Sequence, residues 1–100
     1  MAKKIVWTKR ADTKFIKILE YLNEVWGQKV TEAFIQRTYD FLDILTDFPE
    51  IGPIQRANRN IRGFTLTKHI TIFYRIDNQN IILLNFFDNR QRRDKNKNEA

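Results

Sequence analysis

The stretch ITIFYRIDNQNIILLNFF, residues 70–87, decides how this chain is read. Ile70, Ile72, Tyr74 and Ile76 alternate with Thr71, Phe73 and Arg75, the two-residue period of a strand with one strongly apolar face. The run DNQN at 77–80 is a turn, because Asp and Asn side chains bond their own backbone and tolerate unusual dihedrals. IILLNFF at 81–87 is nearly all apolar, as expected of a strand covered on both faces or central in a sheet. Apolar residues stop after Asp88, and DKNKNEA at 94–100 has no means of packing, so a disordered tail is expected there.

Upstream, GFTLTKH reads as further β structure and ANRNIRG (57–63) as a polar loop leading into it. FPEIGP (48–53) punctuates the chain with two prolines and a glycine. Before it the period changes to that of a helix. Ala11, Phe15, Ile18, Leu19, Leu22, Val25 and Trp26 share one stripe, and Val30, Phe34, Thr38, Phe41 and Leu45 share a second. Thr8 or Asp12 suits the first N-terminus, Gly27 separates the stripes, and Pro49 closes the second. So short a link folds the helices back as an antiparallel hairpin. KIVWT (4–8) opens the chain with a strand-like segment. The expected fold class is α+β in the order β-α-α-β-β-β, with the N-terminal helical hairpin packed on one face of a mainly antiparallel sheet. One domain over residues 1–93 is expected.

A chain of 100 residues, 42% hydrophobic and 13% aromatic, can fill one core. Cysteine is absent, which excludes disulfides and thiolate chemistry, and a single histidine argues against a structural zinc site. No metal or small-molecule cofactor is expected. The start MAKKIVWTKR has no apolar run of signal-peptide length, and no stretch approaches a membrane span, so a cytoplasmic location is expected. The net charge of +6 is unevenly placed. Residues 1–50 balance eight basic against eight acidic side chains, while residues 51–100 hold ten basic and four acidic. Arg56, Arg59, Arg62, Lys68, Arg75, Arg90, Arg92 and Arg93 are the candidate residues for an anionic partner, either a nucleic acid or an acidic protein. The plainer alternative is a solvated face that keeps a small protein soluble.

Five features together resemble the RelE/ParE family of toxins from bacterial type II toxin–antitoxin systems. They are WTKRA near the start, FxxIxxYLxxxWG in the first helix, the FPExG turn, IRxFxLTKHITIFYRI, and ILLNFFDNRQ. The resemblance covers residues 4–92. It implies a growth inhibitor of the kind associated with plasmid stabilisation, neutralised by a cognate antitoxin that wraps it with a helix and an extended segment. Two mechanisms diverge within the family. RelE-like members enter the ribosome and cut mRNA, whereas ParE-like members poison DNA gyrase. Fold alone does not choose between them.

The residues do. Cleavage by a 2′-hydroxyl needs a base, an acid and cations on the phosphorane. Where RelE-like toxins commonly place an arginine, the strand ITIFYRI has Thr71, and after the last strand DNRQRRDKNKNEA offers neither tyrosine nor histidine. A substitute set would use His69 as acid or base with Lys68, Arg75 and Arg92 as clamps. Against that, a lone histidine without a paired acid or base is weak support for catalysis, and Arg75 can equally pair with Asp77 or Asp88. Glu50 is a second candidate base, more simply a loop carboxylate. Asp40, Asp43 and Asp47 are expected to solvate the second helix. Trp7 and Trp26 could stack on bases, but Trp26 falls on an apolar stripe and is expected in the core. Arg90, Arg92 and Arg93 are read as a cluster that binds rather than cuts, since arginine captures phosphate or carboxylate bidentately. The favoured expectation is therefore a ParE-like, non-enzymatic toxin acting on gyrase. The alternatives are a metal-independent ribosome-dependent endoribonuclease and a toxin fold retained only for antitoxin binding or autoregulation.

Overall fold

The computed structural model describes residues 3–89. The expected tail at 94–100 and the candidates Arg90, Arg92 and Arg93 lie outside the described residues. Strand β1 (Lys4–Trp7) is followed by α1 (Lys9–Trp26), α2 (Gln28–Asp47), β2 (Arg62–Thr65), β3 (Ile70–Asp77) and β4 (Asn80–Asp88). The sheet order is β1-β4-β3-β2. β1 runs parallel to β4, and the other two pairs are antiparallel. The α+β architecture and element order are those the periodicities require.

Local chemistry sets the boundaries. The Thr8 hydroxyl accepts from the Ala11 N–H at 3.1 Å and donates to the Leu83 carbonyl at 2.7 Å. One side chain thus caps α1 and ties its start to β4. Gly27 joins the helices at φ 93°, a backbone conformation that favours glycine. Asn78, at φ 55°, turns the chain between β3 and β4.

One face of the sheet builds the core. Ile70, Ile72 and Tyr74 of β3 and Ile81, Leu83 and Phe86 of β4 pack against Ala11 and Phe15 of α1 and Phe34, Phe41, Leu42 and Leu45 of α2. Trp7 stacks on Phe86 with ring centroids 5.5 Å apart, and Phe15 meets Phe86 at 5.1 Å. Thr38 is buried with its hydroxyl donated to the Phe34 carbonyl. Tyr74 is fully buried yet satisfied. Its hydroxyl accepts from the Gly52 N–H at 2.9 Å and donates to the Pro49 carbonyl at 2.8 Å, which pins the FPEIGP turn to the sheet. Burial raises its pKa above the ordinary tyrosine value.

One expectation needs correction. Trp26 is 64% exposed rather than core, and Val25 and Val30 are exposed with it. The far end of the hairpin stands away from the sheet, so its apolar stripe lines an open groove. β4 also carries a bulge. Tyr74 pairs with Leu83 but Phe73 pairs with Asn85, so Leu84 is an extra residue. Buried positions therefore run Ile81, Leu83 and then Phe86, which hides the alternation that the unbroken run IILLNFF would otherwise show.

Candidate functional site

The face of the sheet away from the helices is open. Phe73 and Arg75 of β3 project there between the buried residues Ile72 and Tyr74 and beyond them, and the bulge delivers both Leu84 and Asn85 of β4 to the same side. A wall is supplied by the segment after the FPEIGP turn. Gln55 N–H donates to the Ile61 carbonyl and Gly63 N–H to the Pro53 carbonyl, so this segment folds back along the outer edge of β2. A Cβ at Gly63 would lie 2.6 Å from Gln55 Nε2 and 2.9 Å from Phe73 Cε1, so glycine is what lets wall and floor close together.

Two hollows result. One, of about 650 Å³, is bounded by Thr8, Arg10, Gln55, Ala57, Asn58, Ile61, Phe73, Leu84, Asn85 and Phe87. The other, of about 560 Å³, is bounded by Asn58, Asn60, Ile61, Arg75, Ile76 and Leu84. They share Asn58, Ile61 and Leu84 and so form one trough. The rings of Phe73 and Phe87 meet edge to face, with centroids 6.3 Å apart. The Asn85 side-chain oxygen is buried with no hydrogen-bond partner among the described residues. Arg75 faces Asp77 at 3.8 Å, both side chains about half exposed, a pairing of little strength.

On the helix side a groove of about 820 Å³ lies between the hairpin and one end of the sheet. Ile18, Leu22, Trp26, Val30, Phe34 and Ile70 give it an apolar lining, and Lys14, Lys17, Arg37 and His69 give it basic groups. Arg37 is held in place by donating to the Leu66 carbonyl at 3.0 Å.

These two surfaces separate the residues singled out from sequence. Arg75 lies on the trough, and Arg56 and Arg59 are exposed on the loop that walls it. Arg62 is directed elsewhere, donating to the carbonyls of Glu50 and Gly52, and so braces the turn. Lys68 and His69 sit in the bend before β3, and His69 lines the helix-side groove. At roughly 3.3 Å per extended residue, His69 and Arg75 are about 20 Å apart, beyond the span of one reacting phosphate. Arg10 was missed because it lies in the charge-balanced half of the chain, and Lys14, Lys17 and Arg37 for the same reason. The single Asn85 within IILLNFF was the available signal for a polar feature on the open face.

Among the described residues no cluster of three or more His, Cys, Asp or Glu is placed to hold a metal. No described helix is long and apolar enough to cross a membrane. The family model for the ParE toxin of the type II toxin–antitoxin system parDE matches residues 5–93. The fold is similar to that in a structure of the chromosomal ParDE system from P. aeruginosa, with a TM-score of 0.74 at 16% identity over 87% of this chain and 96% of that one. It is also similar to a YoeB/ParE toxin from Agrobacterium tumefaciens, with a TM-score of 0.62 at 14% identity over 85% and 96%. No curated protein sequence matches the chain. With nearly its whole length matched by the family model, this chain belongs to the ParE toxin family of type II toxin–antitoxin systems.

Proposed function

We propose that this toxin stops growth by binding DNA gyrase through its open sheet face, without cutting RNA, and that a cognate antitoxin neutralises it. The observation that carries the reading is the composition of the trough. Its lining offers arginines, amides and phenylalanines, but no histidine, carboxylate, lysine or tyrosine among the described residues. Such a surface can grip a partner, yet it lacks a group to take or give a proton near neutrality. His69, the residue best suited to proton transfer, opens onto the other side of the sheet.

The helix-side groove supports the antitoxin half of the proposal. Its apolar lining continues the core stripe of both helices, and Lys14, Lys17 and Arg37 outnumber the lining carboxylate Asp88, which favours an amphipathic segment with acidic flanks. The P. aeruginosa structure is of a ParDE toxin–antitoxin system, which accords with a protein partner for this chain as well.

Incubating the purified protein with gyrase and relaxed DNA tests the target. Supercoiling should be lost, or cleaved DNA trapped, at micromolar protein, and adding the antitoxin should restore activity. Unimpaired gyrase, with codon-linked cuts in translated mRNA that vanish in His69→Ala, would replace this reading with the ribonuclease.

A further inference from the structure

We propose that the open-face trough binds an unpaired strand of DNA, with a base stacked on Phe73 and Phe87 and flanking phosphates held by Arg10 and Arg75. The choice of DNA rests on the reading above, in which the target is a DNA-handling enzyme. The binding chemistry rests on the trough itself.

Shape comes first. The two joined hollows form a concave channel along β3 and β4, whereas reading a duplex calls for a helix or ribbon that projects into a groove. A channel of this kind admits one strand. Its floor comes second. Phe73 and Phe87, both half-buried, line the hollow in edge-to-face contact, and base–aromatic stacking tolerates any sequence. Charge is the third element. Arg10 lies on one hollow and Arg75 on the other, no described carboxylate lines either, and the half-exposed Arg75 is only weakly engaged by Asp77. Phosphates are therefore attracted at two points separated along the channel, the usual partnership of cationic groove and stacking platform. Lastly, Gln55, Asn58 and Asn85 bring amides that both donate and accept, matching the mixed edges of bases. The Asn85 oxygen is buried with no hydrogen-bond partner among the described residues, so it has capacity to accept from a base N–H, such as thymine N3–H, once the amide turns toward the hollow.

The full-length chain titrated into a fluorescein-labelled oligothymidylate, followed by anisotropy between about 50 and 200 mM salt, tests the proposal. The oligonucleotide should bind, with log affinity falling against log salt at a slope that includes about −0.7 for each of the two arginines. An Arg10→Ala/Arg75→Ala variant should lose that part of the slope. A Phe73→Leu/Phe87→Leu variant keeps apolar volume and should weaken binding at least about fivefold at an unchanged slope. Matching thermal melts establish that each variant is folded. Absence of binding at the lowest salt, affinity unaltered in both variants, or tighter binding of oligouridylate, duplex DNA or polyglutamate would overturn it. Gyrase is absent from this assay. Inhibited gyrase with no oligonucleotide binding defeats this inference alone, whereas binding with gyrase unimpaired defeats the target assignment instead.

Discussion

Phe86 and Phe87 are neighbours on one strand and belong to different parts of the protein's life. Phe86 is fully buried against Trp7 and Phe15. Phe87 is half-buried on the opposite side, where it lines the trough with Phe73. A strand turns successive side chains to opposite faces, so a four-stranded sheet with helices on one side must leave the other side uncovered. Here the uncovered side carries aromatic rings and arginines where a purely structural sheet would carry small polar groups. The contrast teaches that burial and function are allotted by face rather than by segment.

Substitutions that separate the faces should show a graded response. Phe86→Ala should have the largest effect, removing about 3–5 kcal/mol of stability and lowering the melting temperature by at least about 12 °C. Phe87→Ala should cost only about 1–2 kcal/mol. Equal losses on thermal melting would erase the distinction between the faces. Tyr74→Phe comes next. It deprives the Gly52 N–H and the Pro49 carbonyl of their partner, at about 1–3 kcal/mol by denaturant titration.

The same tyrosine makes a pH prediction. Burial raises its folded pKa above the unfolded value of about 10. Its contribution is thus complete below about pH 10 and is lost as pH climbs through the folded pKa. Wild-type stability should fall more steeply above pH 10 than that of Tyr74→Phe, and parallel profiles would show that the hydroxyl is not held as described. Thr8→Ala should cost about 1–2 kcal/mol, because it removes the α1 cap and the bond to Leu83 together. Arg75→Ala should be the mildest, within about 0.5 kcal/mol, since its ion pair is long and solvated.

How much of this was legible depended on the kind of pattern involved. Helices and strands announce themselves by period, and the Thr8 cap and Gly27 break were in the expected places. The β4 bulge was not legible, because Leu84 is as apolar as its neighbours and nothing local distinguishes an extra residue from a paired one. Trp26 misled because apolar periodicity reports a face that avoids water, not what covers it. The trough was only half visible. Phe73 and Arg75 follow from alternation in β3, but Arg10, Gln55 and Asn58 arrive from distant segments. Even the excess charge of the second half was ambiguous, since Arg62 spends its hydrogen bonds on backbone carbonyls of the FPEIGP turn.

The division of labour between the two faces is tested most directly by an Arg10→Ala/Arg75→Ala variant, measured for thermal stability and for growth arrest on induction in the same host. The account predicts a melting temperature within a few degrees of the parent, roughly as for surface substitutions generally, and colonies where the unaltered chain gives none. Full growth arrest by the stable double variant would place the working surface elsewhere.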